Sequence, residues 1–231
     1  PIFVDEHGAT IPSRALQQKI TDAIIYEDEG LIIINKPAGV VVHSGSGQTH
    51  GVIEALRAVG GDYGKLELVH RLDKDTSGCL LLAKNIPVLR ALHNAMLSGE
   101  VAKTYSALLA GQLSKKKLTV NAALNKNNVS SGEQIVRIDK NGKPATTIYK
   151  RERVYASATL VNIELVTGRT HQIRVHSASI NHPVIGDTKY GERSINQDYR
   201  KQGLKRMFLH AKNLKFISPV NQQKMSIDAP I

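Results

Sequence analysis

Several features by which a chain can declare its class are missing here. There is one cysteine, Cys79, among 231 residues, so no disulfide can close within the chain and a reducing compartment suits it. Tryptophan is absent and aromatic residues make up only 4%, so the core has to be assembled from Ile, Leu, Val and Ala. No apolar run approaches the roughly 20 residues that span a bilayer. No charged-then-apolar segment opens the chain as a secretory signal would, so a cytoplasmic location without membrane contact is expected. Internal repeats and low-complexity tracts are also missing. A metal site finds no support, because there is no cysteine pair and no carboxylate set with ligand spacing. His171 and His176, five residues apart, would point about 140° apart on a helix and could not share an ion.

What the chain does carry is positive charge. Lys and Arg number 31 against 20 Asp and Glu, a net charge of +11, which favours a polyanionic partner. The distribution is uneven. The first thirty residues hold six acids and two bases, whereas Arg200 to Lys224 holds seven Lys and Arg and no acid. Such a basic stripe reads as a contact face for phosphates. With 231 residues and 41% hydrophobic content, the chain suits one large domain or two small ones.

Residues 1 to about 22 show no periodic apolar pattern and read as a linker or N-terminal extension, with the main domain over 23–231. Ile24 to Tyr26 and Leu31 to Ile34 flank Glu27-Asp28-Glu29-Gly30, the pattern of a hairpin with an acidic turn. Ser44-Gly45-Ser46-Gly47 is a flexible loop without the spacing of a phosphate cradle. Val52 to Val59 reads as a short helix stopped by Gly60-Gly61. Asn85 is placed to cap a second helix, with Pro87 in its first turn, an end near Ser98 and Gly99 beyond it. Strands are expected over 103–110, 119–124, 135–138, 145–150, 156–166, 207–210, 214–217 and 225–227. Thr170 is expected to cap a further helix reaching about Ile180. Strands outnumber helices, and many are hairpin-linked. The expected class is α+β: a mixed, largely antiparallel central sheet with flanking helices.

Three constellations carry chemistry. In the first, His70, Arg71, Asp73, Lys74 and Asp75 crowd together just before an apolar run from Cys79 to Ala83. A carboxylate mounted against a rigid strand suits catalysis, as nucleophile, general base or metal ligand. Asp75 reads as a turn or capping residue. The second is Gly168-Arg169-Thr170-His171-Gln172-Ile173-Arg174-Val175-His176, which joins a strand to a helix. Cations in the first turns of a helix oppose its macrodipole, so a buried carboxylate or RNA phosphates must offset them. The third is Lys103-x-Tyr105, with Tyr105 directed to one face of a strand, either as a core tyrosine or as a ring for a nucleobase.

Asn35-Lys36-Pro37, the run from His70 to Lys84, Lys103-x-Tyr105, Gly168 to His176, Gly186-x-x-x-Tyr190-Gly191 and Phe208-Leu209-His210-Ala211 stand in the order and spacing of a known family. From about residue 23 to its end the chain resembles the RluA family of pseudouridine synthases. Ile53-Glu54, and Ser131-Gly132-Glu133 with the basic stretch beyond it, carry a closer likeness to its members that act on ribosomal large-subunit RNA. Those usually begin with a small S4-type RNA-binding domain, which this stretch of sequence does not contain.

The resemblance implies the pseudouridine synthase fold with a central active-site cleft, and cofactor-free isomerisation of uridine to pseudouridine in 23S ribosomal RNA by a monomer. Asp73 matches the catalytic aspartate, which attacks the sugar or assists its deprotonation. Arg174 matches the arginine paired with it, and Tyr105 the tyrosine that stacks on the base. Arg71 matches the residue that fills the gap left by the flipped nucleotide. His70, Arg169, His171 and Lys36 are expected among the RNA contacts, with Leu209 as an apolar wall of the pocket. A transfer RNA substrate, a non-catalytic RNA-binding module, and a nuclease using Asp73 with histidines are the other readings. The last needs metal ligands or paired histidines that the sequence does not offer.

Overall fold

The computed structural model describes residues 3–4, 10–45, 49–128 and 134–231. The chain divides into two compact units, one of residues 1–101 and 211–231, the other of residues 102–210. In chain order the elements begin with β1 (Phe3–Val4), β2 (Thr10–Ile11), α1 (Arg14–Thr21), β3 (Ile24–Glu27), β4 (Leu31–Lys36), α2 (Val52–Val59), β5 (Glu67–Leu68), β6 (Ser77–Ala83) and α3 (Ile86–Leu97). There follow β7 (Ala102–Ala110), β8 (Lys117–Asn121), β9 (Leu124–Asn128), β10 (Gln134–Ile138), β11 (Thr146–Val154) and β12 (Ala158–Leu165). The last are α4 (Gln172–Ser179), α5 (Arg193–Lys201), β13 (Leu209–Ile217) and β14 (Lys224–Asp228). The class is α+β with largely antiparallel pairing, as the strand-rich pattern predicts.

In the first unit β3 and β4 form the expected hairpin. Its turn is closed by Asp28, whose Oδ1 accepts from the backbone N–H of Gly30 (2.8 Å) and Leu31 (2.9 Å). An Asx turn of this kind is why an acidic residue stands there. β4 pairs antiparallel with β6, which has β13 on its other side. All seven residues of β6 are buried. Leu31, Ile33, Cys79 and Leu81 pack against Val88 and Leu92 of α3 and against Leu214 and Phe216. The alternate residues Ile32, Ile34, Leu80 and Leu82 face the other way and are buried as well. A strand covered on both faces reads as a continuous apolar run, which is what the sequence shows here. The Cys79 thiol is a core group in this setting, and burial pushes its pKa up to about 11.

Two helix ends follow the sequence closely. Asn85 caps α3 by accepting from Val88 N, with Pro87 in the first turn, and Gly99 beyond its end takes φ +79°. α1 is an addition: residues 14–21 are helical where no period was evident. Its apolar stripe has only two rungs, Leu16 and the buried Ile20, and it starts on a cap in which Ser13 Oγ accepts from Leu16 N.

Gly78 holds a position that no other residue can take. Its φ is +107°, and a Cβ there would lie 2.2 Å from the carbonyl oxygen and 2.6 Å from the nitrogen of Ala211 on β13. Gly78→Ala therefore meets both backbone strain and overlap, and is expected to lower unfolding free energy by at least about 2 kcal/mol. Urea denaturation checks this; a variant as stable as the parent would refute the close approach of the strands.

In the second unit β7, β12, β11 and β8 form an antiparallel sheet in that order. Tyr105 stands opposite Ile163, Ile163 opposite Tyr149, and Tyr149 opposite Leu118. β9 and β10 pair separately. The single strand expected over 119–124 is two, β8 and β9, and the strands expected over 207–210 and 214–217 are one, β13. The Ser44–Gly47 loop is described only to Gly45, and Ser131-Gly132-Glu133 lie outside the described residues.

Candidate active site

Asp73 lies in the loop between β5 and β6, in a turn closed by Thr76 N donating to its carbonyl (3.1 Å). Two neighbours hold that loop. His70 Nε2 accepts from Leu81 N at 3.2 Å, while Val69 N donates to Leu81 O, so the approach to the turn is tied to β6. The second is Lys36, at the end of β4. Its ammonium donates to the carbonyls of Val40 (2.7 Å), Pro37 (2.8 Å) and Lys74 (3.0 Å). Gly39 N donates to the same Lys74 carbonyl. Lys36 is 0% exposed, so it reaches no solvent and its place is as a strut under the Asp73 turn rather than as an RNA contact. Burial drags its pKa down to about 7, against the pull of Asp75 and Asp73 in the other direction. Three carbonyl acceptors call for the three N–H donors of the charged form. Arg71, Lys74 and Asp75 are exposed, and Asp73 is half-buried.

In the second unit Arg174 projects from α4 and is only 7% exposed. Its Nε donates to Asp187 Oδ2 at 2.7 Å and its Nη2 to Oδ1 at 2.9 Å, a two-pronged pair that fixes the guanidinium plane. Asp187 is 1% exposed. Burial alone would raise its pKa, but Arg174 and the N–H groups of Tyr190 and Lys189 hold the carboxyl below its usual range. The loop that carries it is itself fixed. Asn196 on α5 accepts from Gly186 N (2.7 Å) and donates to Asp187 O (2.8 Å). Gly191 leaves room there: a Cβ would come 2.4 Å from Asp187 O. The carboxylate that the cations of α4 demand is thus Asp187, an unspecified position inside the Gly186–Gly191 motif.

Tyr190 draws this cluster together. Its hydroxyl accepts from Val136 N (3.0 Å) and lies 2.8 Å from His171 Nδ1, and its ring lies under Arg174 with Cζ 5.1 Å from the centroid. The Tyr190 hydroxyl, with two lone pairs and one proton, can serve Val136 N and His171 Nδ1 together. His171, with φ +53°, is the residue before α4, a left-handed position that Asn, Asp and His tolerate best. The expected cap at Thr170 is not made, since α4 begins after His171 without a side-chain cap, and Gln172 instead ties the turn before the helix to β11. Its Oε1 accepts from Thr167 Oγ1 and Arg169 N, and its Nε2 donates to Thr146 O and Thr147 Oγ1. Thr147 Oγ1 in turn lies 2.9 Å from Nδ1 of the buried His176, whose Nε2 faces Ala122 O. Burial lowers the pKa of His176. With the neutral form favoured by burial, the proton on Nε2 meets Ala122 O and leaves Nδ1 to accept from Thr147 Oγ1.

Tyr105 on β7 is 7% exposed and Leu209 on β13 is 3% exposed. Arg169 is exposed, with Nε donating to Pro144 O at 3.2 Å. The basic stripe from Arg200 to Lys224 is shared between the units: Arg200 to Arg206 belong to one, Lys212 to Lys224 to the other. α5, which carries Arg200, lies where no helix was expected, because only Ile195, Asn196 and Tyr199 turn inward along it. Among the described residues no three of His, Cys, Asp and Glu are placed to hold a metal ion, and no helix is long and apolar enough to cross a membrane.

Residues 30–179 match the family model described as RNA pseudouridylate synthase, and the chain belongs to that family. It is an RNA pseudouridine synthase, an isomerase, of the RluA type that its motifs resemble. Ribosomal large subunit pseudouridine synthase C of Salmonella typhimurium is 47% identical across all of this chain and 74% of its own length. The protein of that name from Pasteurella multocida is 48% identical across all of this chain and 72% of its own length. Among solved structures, human RNA pseudouridylate synthase domain containing 1 superposes with a TM-score of 0.74 at 28% identity, covering 90% of this chain and 83% of that one.

Proposed function

We propose that this enzyme isomerises uridines of 23S ribosomal RNA, with Asp73 as the essential carboxylate, Tyr105 as the ring on the base and Arg174 as the cation beside Asp73. The relatives named for the ribosomal large subunit, matching the whole chain at 46–48% identity, carry the choice of RNA. In the reaction the N1–C1′ bond breaks, the uracil turns, C5 bonds to C1′, and the C5 proton leaves while N1 gains one. A stacked base cannot reach a protein carboxylate, so the nucleotide is flipped out at a cost of a few kcal/mol. Phosphate contacts to a protein of net charge +11 offset that cost. Arg71, exposed two residues before Asp73, is assigned to the gap the nucleotide leaves. His70, Arg169 and His171 border the reacting RNA, and Leu209 is assigned to the wall of the pocket. Asp187 takes Nε and Nη2 of Arg174.

Carbodiimide-based primer extension on RNA from cells lacking the protein tests the substrate. Loss of pseudouridines from 23S RNA is expected; loss from transfer RNA alone would overturn the choice of RNA. A second experiment tests Lys36. Lys36→Met keeps the bulk and removes three donors from the Asp73 turn. A shift of that loop by about 1 Å should cost on the order of 100-fold in turnover, with the salt dependence of RNA binding unchanged. A flatter salt dependence with normal turnover would make Lys36 an RNA contact after all.

A further inference from the structure

In the second unit the segment 112–117 runs antiparallel beside 150–155, and together they hold six cations and one acid. Lys117 stands directly opposite Lys150 in the β8–β11 ladder. Like charges facing each other across strands are destabilising. Lys150 is relieved by an ion pair with Glu164, but Lys115, Lys116, Lys117 and Arg153 are exposed and, among the described residues, form no ion pair. The lysine segment is also held in shape. Arg151 N donates to Lys116 O (2.9 Å), and the Arg151 guanidinium donates to Leu113 O (3.0 Å) and Ser114 O (2.7 Å). At the far end Gln112 Nε2 donates to Tyr155 O (3.1 Å), and the Tyr155 side chain, 43% exposed, stands beside the cations. Cations in a fixed row with an exposed aromatic ring are the makings of a surface for a sugar-phosphate backbone with an unstacked base.

We infer that Lys115, Lys116, Lys117, Arg153 and Tyr155 form a docking surface for RNA flanking the reacting uridine. This rests on the ribosomal RNA substrate proposed above. The surface is not an extension of the Tyr105 position. By register Tyr105 lies three strands from Leu118, about 14 Å across the sheet. Lys117, next to Leu118, points to the opposite face. RNA that reaches the row is therefore not the flipped nucleotide but its neighbours in the folded substrate. Edge-strand lysines can also serve simply to keep sheets from pairing. That role needs one or two charges on the strand itself, whereas here Lys115 and Lys116 precede β8.

The test compares the parent with K115Q/K116Q/K117Q and, separately, Tyr155→Ala, on a fluorescent 23S RNA fragment containing a mapped target and on a minimal stem-loop cut from it. The triple variant is expected to raise KM for the long fragment about tenfold at low salt. It should also flatten the plot of log affinity against log salt by about 2 to 3, with the stem-loop little affected and the loss in KM rather than kcat. Tyr155→Ala should weaken the long fragment with the salt slope unchanged. Equal affinity and slope for parent and triple variant would overturn the docking surface. So would a triple variant that self-associates in sedimentation while binding RNA normally, because the lysines would then be edge protection. If the parent itself leaves 23S fragments unmodified, it is the substrate proposal that fails.

Discussion

Asp73→Asn is expected to abolish pseudouridine formation, by a factor of about 10⁴ or more, while leaving RNA affinity within a few-fold. Losses of this size follow when an essential nucleophile or base is removed. The substitution is well suited to the geometry. The turn is held by the main-chain carbonyl of residue 73 and by His70, neither of which depends on the carboxylate charge, and by Lys36, whose ammonium is supported by Asp75 as well as by Asp73. Asn keeps the size of the side chain, so the turn should persist. Binding is dominated by phosphate contacts and should persist too. Release of tritium from C5-labelled uridine measures the reaction directly, because C5 loses its hydrogen as it bonds to the sugar. A variant that still releases tritium would remove Asp73 from the mechanism.

Asp187→Ala should be the most destabilising single change in the second unit. It leaves the Arg174 guanidinium buried and unmatched at Nε and Nη2, and it strips acceptors from two backbone N–H groups. Breaking one side of a buried pair costs about 3–5 kcal/mol, which for a chain of this size lowers Tm by roughly 10 °C. Asp187→Asn keeps an acceptor and should lose less. The pH dependence has a definite sign. The folded pKa of Asp187 lies below the ordinary 3.8, so its contribution is complete above that value and is lost as pH falls through the lower, folded one. The alanine variant should lack this acid-side loss. If its Tm matches that of the parent, Asp187 does not hold Arg174.

The parts of the structure legible in the sequence are those with a local cause. Asp28 announces its turn, Asn85 its helix, and the run Cys79 to Ala83 a strand buried on both faces, because each signal lies within a few residues of its effect. The misses have causes spread along the chain. α1 and α5 bury too few side chains to show a period. The cap expected from Thr170 is not made, and the turn is held instead by Gln172, whose amide spans Thr146, Thr147 and Thr167. Lys36 looks like one more surface cation until Pro37, Val40 and Lys74 close around it. Asp187 had no local mark at all. It stands in a variable position between two glycines, and its meaning comes from Arg174, thirteen residues earlier.

The complete burial of β6 bears on the clock of the molecule. Its amides are paired within the sheet and shielded on both faces, so they exchange with solvent only when the first unit opens as a whole. The Asp73 turn leads directly into that strand and is tied to it through His70 and Val69. The carboxylate thus hangs from the slowest-breathing part of its unit rather than from a loop free to fluctuate. On the role proposed for Asp73, such a mounting gives up adaptability at the carboxylate and leaves adjustment to the RNA.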